Sequence, residues 1–358
     1  MTSALHRRAA SAMVDHGPRL VADIGGTNAR FGWVAAPGEP VSQVRSLSVA
    51  GFAGPASAAR AYLSELAQRL GPEFSPPRRA AFAVATAVAG DWMAFTNSCW
   101  AFSRDEVQAD LGLDRLLMLN DFEALAWSLP GLATHQLRAH AVAPPLAGAT
   151  LAVVGPGTGL GVGAVMPTRQ GWVALPGEGG HATLAPVDDL ESALLACVRR
   201  QYPHVSAERL LSGIGLPLLH QALGQVLGEV SAVRTTAQIV ADGADGASGA
   251  GGAGGADPTA AGDALCSRTL DLFCALLGGF AGNVALTLGA RGGVYIGGGI
   301  VPRFADRFFA SAFRERVEAK GRFRDYLAAI PTALITDTSA ALSGAARAIE
   351  QQITSELG

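Results

Sequence analysis

Twice in this chain a short apolar run ends in a cluster of glycines carrying one threonine and then resumes as a second apolar run. The first copy is residues 20–24, GGTNAR and residues 31–34; the second is LAVV (151–154), the glycine run 155–163 with Thr158, and a strand ending at Met166. Apolar runs this short, without polar alternation, suit strands buried on both faces, and glycines allow a tight turn bare of side chains. Each copy predicts a β-hairpin, and two copies of one design predict a duplicated α/β core. In the second copy Val162 and Ala164 stand where the last glycine of a G-x-G-x-x-G dinucleotide fingerprint would fall, and the next strand comes too soon for a helix. That weakens any reading as a nicotinamide-dependent enzyme.

The remaining pattern alternates helices and strands. Ala58, Ala61, Tyr62, Leu66 and Leu70 predict a helix over 56–70, AAFAVATAV (80–88) a buried strand, and 116–119 a strand running into Asn120 and Asp121. FEALAWSL follows as a helix that stops at Pro130-Gly131. Downstream we expect helices over 190–201 and 208–228, a buried helix over 265–290, the strand GGVYI before Gly297-Gly298-Gly299, a charged helix over 304–319 and a last helix after Ser339. The charged run 314–320 is expected to be a solvated face. The Gly/Ala tract 241–262 is expected to be a flexible surface insertion. Residues 1–18 lack the apolar run of a secretory signal and are expected to form a disordered leader. Of two charge-free stretches, 141–168 is broken by four prolines and six glycines, and 272–290 by Gly278, Gly279, Gly282 and Asn283. Buried strands and a core helix are expected there, not membrane spans.

Composition removes several function classes. With 27 basic and 30 acidic residues the net charge is −3, which gives no reason to expect a nucleic-acid or membrane partner. Lys320 is the only lysine and precedes Gly321, so a Walker A loop, which needs Gly-Lys-Ser/Thr, is absent. A protein-kinase lysine set or a pyridoxal Schiff base would have to rest on that single residue. Cys99, Cys197, Cys266 and Cys274 show no Cys-x-x-Cys spacing, so zinc ribbons and disulfide frameworks are not expected, and reduced cytoplasmic thiols are.

Chemistry begins at Asp23-Ile24-Gly25-Gly26-Thr27-Asn28. Backbone N–H groups there can point at a phosphate, Thr27 offers a hydroxyl, Arg30 a charge, and Asp23 a carboxylate able to hold Mg²⁺ through water. A plain glycine-rich hairpin is the favoured account of DxGG alone; threonine among glycines in both hairpins adds the reading of a two-jawed phosphate clamp. Asn120-Asp121 ahead of a helical run suits a helix N-cap. Glu178 and His181 in a glycine-flanked loop suit solvated or backbone-bonding side chains, Glu208 a helix start, and Gly297-Gly298-Gly299 a tight βα turn.

Seven ordered segments, ADIGGTNARF (22–31), FTNSCWAFS (95–103), LNDFEALA (119–126), GPGTGLGV (155–162), LPGEGGHATLAP (175–186), HVSAERLLSGIGL (204–216) and GGVYIGGGIVPRF (292–304), resemble the bacterial ATP-dependent glucokinases. The resemblance runs from residue 19 to about 350. It implies the two-lobed α/β sugar-kinase fold of the hexokinase/actin-like (ribonuclease H-like) type, with mixed sheets and flanking helices. The small domain would be 19–131 plus 337–358 and the large one 132–336, closing over glucose and MgATP. It also implies Asp121 as general base toward the sugar 6-hydroxyl, with Asn97, Asn120, Asp121, Glu178, His181 and Glu208 binding the sugar. Ala22, Asp23, Ile24, Gly25, Gly26, Thr27, Asn28, Gly157, Thr158 and Gly159 would hold ATP, Gly298 and Gly299 would make room for adenosine, and Asp23 would hold Mg²⁺ through water. No zinc is expected, because Cys197 has no partner cysteines near the histidine. A cytoplasmic homodimer without nucleic-acid or membrane partners completes the expectation. SAALSG (339–344) departs from the family's usual Gly-Leu-Leu-Gly. The rivals are a kinase for another hexose or N-acetylhexosamine, and a non-catalytic sugar-sensing regulator, for whose helix-turn-helix an 18-residue leader is too short.

Overall fold

A computed structural model describes residues 17–95, 98–140, 144–230, 232–244 and 258–357. The expectations for most of the leader, for Asn97 and for the middle of the Gly/Ala tract lie outside the described residues. The chain divides into two units: described residues up to 130, 168–172 and 339 onward form the first, and 131–167 with 173–338 the second.

In the first unit β1 (Arg19–Ile24) pairs antiparallel with β2 (Asn28–Val34), and β2 antiparallel with β3 (Ser42–Ser48). On the other side β1 runs parallel to β4 (Arg79–Val84), which runs parallel to β7 (Arg115–Asn120), giving the order β3-β2-β1-β4-β7. Both faces of this sheet are covered, which is why the strands read as unbroken apolar runs. Leu20, Ala22, Ile24, Ala80, Phe82 and Val84 join one core with Tyr62 and Leu66 of α1 (Pro55–Leu70). Val21, Ala81 and Ala83 join another with Ala124 of α3 (Asp121–Ser128) and Leu342, Ala345 and Ile349 of α11 (Ala340–Leu357). Gly344 is the contact point between those two helices, because a Cβ there would overlap the Ala124 carbonyl. The small residues of SAALSG therefore let α11 lie on α3. Between β4 and β7 the chain adds the short pair β5 (Trp92–Ala94) and β6 (Ala101–Ser103), then α2 (Arg104–Asp110), which Ser103 caps by accepting the Glu106 N–H.

The second unit repeats the plan. β9 (Leu151–Pro156) and β10 (Leu160–Thr168) form the hairpin, β9 runs parallel to β12 (Gly293–Ile296), and β12 parallel to β13 (Thr332–Ile335). With β11 (Gly171–Leu175) outside β10 and β8 (Leu137–Ala139) antiparallel on β13, the order is β11-β10-β9-β12-β13-β8. Counted within each unit, the shared strands stand in the same 3-2-1-4-5 order, the duplication that the paired hairpins predict.

The core of this unit is built on α7 (Pro258–Leu288), whose Leu270, Phe273, Cys274, Leu277 and Ala281 are buried. Within its stretch Ala264–Leu288 an 18-residue window has mean hydropathy 1.5, enough to cross a membrane by length and composition, yet 83% of that window is buried inside the protein. It is a core helix, and Gly278 lets it pack directly on the Phe313 carbonyl.

Four element readings need correction. The expected helix over 208–228 is α5 (Leu216–Leu227) alone, because 208–215 turn tightly around Gly213 and Gly215, where a Cβ would meet the carbonyls of Gly157 and Arg209. The helix over 304–319 is two, α8 (Ala305–Ala310) and α9 (Phe313–Glu318), parted where Ser311 turns extended and its Oγ accepts the Phe313 N–H. Residues 241–244 end α6 (Thr236–Ala244) and 258–262 begin α7, so both ends of the Gly/Ala tract are helical. The charged run 314–320 is no solvated face. Arg316 donates at 2.5 Å to Glu191 of α4 (Asp189–Arg199), whose side chain is only 1% exposed. Arg314 donates to the Ile330 and Ala328 carbonyls, and Lys320 Nζ to the Gly279 carbonyl.

Candidate active site

The parallel strands β1, β4 and β7 end together: Asp23 is level with Ala83, and Ala83 with Leu119. The loop after β1 and the Asn120-Asp121 pair after β7 therefore leave the same edge of the sheet, where open α/β sheets bind ligands. The β1–β2 turn is closed by the Gly25 N–H donating to the Asn28 carbonyl at 2.9 Å and by the Val49 N–H donating to Thr27 at 2.9 Å. Asp23, Gly25, Thr27, Asn28, Arg30 and Ser46 line a concavity of about 260 Å³. Ala22 and Ile24 are fully buried and hold the loop from below, while Gly26 sits half-buried at its tip. Arg30 lies across from Asp23 on β2, with its guanidinium 3.9 Å from the carboxylate. Burial pushes the Asp23 carboxyl above its ordinary range, and Arg30 offsets part of that rise. Ser46 faces Arg30 from β3, a position that SQVRSLS, with no apolar run, does not mark in the sequence.

Asn120 does cap α3, its Oδ1 accepting the Phe122 N–H at 2.9 Å, and its Nδ2 donates to the Thr86 carbonyl at 3.2 Å. These two bonds fix the amide where β7 hands over to α3, and Asp121 follows with Oδ1 at 3.0 Å from the same N–H. An amide has a second hydrogen and a second lone pair, so capping and ligand binding are compatible.

In the second unit the β9–β10 turn is closed by the Gly157 N–H donating to Gly159 at 2.8 Å, and the Gly213 N–H donates to Gly157 at 2.8 Å. Thr158 is exposed at its tip. Gly298, at φ +79°, lies against the Pro156 carbonyl in space that no side chain could share, and Gly299 beside it is exposed. Glu178 and His181 stand at the two ends of one turn, the His181 N–H donating to the Glu178 carbonyl at 3.0 Å, and both side chains are exposed. Glu208 joins them: its N–H donates to Gly180 at 2.9 Å, and Oε1 lies 3.8 Å from His181 Nε2. Its Oε2 accepts the Leu160 N–H at 2.9 Å, a backbone contact that no sequence motif signals. This unit thus gathers Gly157, Gly159, Glu178, His181 and Glu208.

Chemically, the first unit offers backbone donors, a hydroxyl and a guanidinium around one half-buried carboxylate. That set suits a phosphate group and an Mg²⁺ ion that keeps most of its water and takes further oxygens from the phosphate. Among the described residues no cluster of three or more His, Cys, Asp or Glu forms a self-sufficient metal cage. The second unit offers two carboxylates and an imidazole, a mixture of acceptors and donors that suits a polyol.

A family model described as Glucokinase matches residues 20–352. Glucokinase of Aromatoleum aromaticum is 45% identical over 341 residues, covering 95% of this chain and 97% of that protein. The bifunctional protein glk of Burkholderia pseudomallei is 42% identical over 358 residues, covering 100% of this chain but 52% of that protein. The chain therefore spans about half the length of that relative. Among solved structures, a glucokinase from an Antarctic psychrotroph is 35% identical with a TM-score of 0.80, covering 92% of this chain and 98% of that one.

Proposed function

The chain belongs to the glucokinase family, and from that premise we propose that it transfers the γ-phosphoryl group of ATP to the 6-hydroxyl of glucose, giving glucose 6-phosphate and ADP. The observation that carries the reading is the shared sheet edge of the first unit, where the concavity beside Asp23 and the carboxylate of Asp121 follow the ends of the parallel strands β1 and β7, with β4 between them.

Phosphoryl transfer asks little covalent work of a protein; it asks for position and charge. Asp121 accepts the proton of the sugar 6-hydroxyl as that oxygen bonds to Pγ and the bond from Pγ to the bridging oxygen breaks, leaving ADP. Asn120, held by its cap and by Thr86, orients a neighbouring hydroxyl. The backbone of 25–28, Thr27 and Arg30 hold phosphate oxygens, and Asp23 would hold Mg²⁺ through water. When bound, the ion neutralises charge on the β- and γ-phosphate oxygens. In the second unit Glu178, His181 and Glu208 bind sugar hydroxyls, so an analogue lacking one leaves a polar group unpaired. Gly157, Thr158 and Gly159 meet phosphates, and Gly298 and Gly299 leave room for adenosine. Asn97 belongs to the same proposal as a sugar ligand, and so does a cytoplasmic homodimer as the working state.

ADP release from MgATP, measured sugar by sugar over glucose, mannose, fructose, N-acetylglucosamine and a no-sugar blank, tests the reading. Turnover confined to glucose supports it, turnover on another sugar keeps the mechanism and changes the substrate, and glucose binding without turnover points to a sensor. Asp121→Ala is expected to lower kcat by roughly 10²–10⁴ with a smaller effect on glucose binding; a near-normal kcat removes Asp121 from the base role.

A further inference from the structure

Glu208 is held from two directions. Its backbone N–H bonds Gly180 in the turn that carries Glu178 and His181, and its Oε1 faces His181 at 3.8 Å. Its other oxygen, Oε2, accepts the Leu160 N–H at 2.9 Å, immediately after Gly157-Thr158-Gly159. Gly159 accommodates this arrangement by having no side chain: a Cβ there would overlap Oε2. The Glu208 carbonyl is fixed in turn by the Ser212 hydroxyl at 2.7 Å, and Gly213, one residue on, donates to Gly157. A carboxylate that only bound sugar would not need to carry a backbone N–H of the glycine loop.

We propose that Glu208 couples sugar binding to nucleotide binding within the second unit, as a positioning residue for the 157–160 loop. The inference rests on the reading above, in which Glu208 meets a sugar hydroxyl and the loop meets phosphates. A hydroxyl that donates to Oε1 fixes the rotation of the carboxylate. With the rotation fixed, Oε2 stays on the Leu160 N–H, and the loop is held in one form before the nucleotide arrives. The ordering cost has then been met by the sugar, and the nucleotide binds more tightly. Linkage makes the effect reciprocal: the factor by which sugar tightens nucleotide equals the factor by which nucleotide tightens sugar.

The test is calorimetric titration of the full chain with Mg²⁺ and a non-hydrolysable ATP analogue, with and without saturating glucose, in wild type, Gly159→Ala and Glu208→Asp. The methyl group of the first variant displaces only the end of a flexible side chain; the second keeps the charge but withdraws the carboxylate from Leu160 by one methylene. The wild type is expected to bind the analogue about tenfold more tightly with glucose, within the usual range for coupled sites. Both variants are expected to show less than a twofold difference while still binding each ligand alone. A merely structural role would weaken each ligand without moving that ratio. Retention of the wild-type ratio in either variant overturns the inference, and so does a wild type that binds both ligands without mutual tightening, which leaves the proposed function standing. A wild type that binds neither ligand removes the proposed function and this inference with it. If G159A does not fold, E208D decides alone.

Discussion

His140 sets a pH limit on the stability of the second unit. The residue follows β8, its N–H bonded to the Thr332 carbonyl at 3.0 Å, and its ring lies among Phe309, Phe308 and Phe313 with centroids 4.3, 5.0 and 5.3 Å away. It is 8% exposed, and neither ring nitrogen has a hydrogen-bond partner among the described residues. Burial, then the Arg314 and Arg138 guanidinium groups, pushes its pKa from 6.5 down to about 4. The folded chain therefore refuses a proton that the unfolded chain accepts below pH 6.5. Stability contributed by the neutral ring is full above pH 6.5 and is lost as pH falls toward 4. A shift of this size corresponds to about 3 kcal/mol in total and about 2 kcal/mol by pH 5, at 1.36 kcal/mol per unit. His140→Phe, whose ring suits the same aromatic cage, removes the term while other titrations stay common to both proteins. Hydrogen exchange of amides in β8, α8 and α9, followed from pH 7 to pH 4.5, should show protection falling more steeply in wild type than in the variant. Parallel loss in the two proteins would refute the argument.

Two further substitutions test the packing. Arg316→Met strands the Glu191 carboxylate, 1% exposed, without its cation, and should cost about 3–5 kcal/mol in thermal unfolding, most of it recovered when Glu191→Leu is added; a double variant no better than the single would show that the pair does not act as a unit. Gly344→Ala drives a methyl group into the Ala124 carbonyl and should destabilise the first unit by about 1–3 kcal/mol. Because α3 begins at Asp121, kcat should fall as well; a variant that matches wild type in both melting temperature and turnover would show that the helix contact tolerates separation.

The elements that were legible in the sequence carry a local signal. The two hairpins, α1, β4, β7 and α3 each announce themselves by apolar runs, helical spacing or a glycine-rich turn, and the paired hairpins announce the duplicated core, while the strand order itself comes from the structure. The proposed site residues rest on a second kind of signal. Asn120 taken locally is an N-cap, and the structure makes it one; its proposed contact with a sugar rests on the ordered set of motifs alone. Ser46 was not legible, because an edge strand of alternating polar residues carries neither an apolar run nor a motif.

What stayed hidden depends on partners far away in the chain. Arg314 and Glu318 form an i,i+4 pair at 2.7 Å, the pattern by which a solvated helix face is ordinarily identified, yet the same short helix places Arg316 on Glu191, 125 residues earlier. Periodicity reports which residues share a face and says nothing about what that face meets. The Glu208 contact with the Leu160 N–H spans 48 residues and ends on a backbone atom, so no choice of side chain at position 160 records it. Its only trace in the sequence is an absence, the missing side chain of Gly159, which among so many glycines passes for turn-making. A glycine retained to admit a neighbouring carboxylate and one retained for a turn differ in what happens when a methyl group is added: the first loses a contact while its backbone stays at ease, the second strains its own backbone. Gly159 has no positive φ, so the change expected in G159A comes from displacement of Glu208 and not from backbone strain.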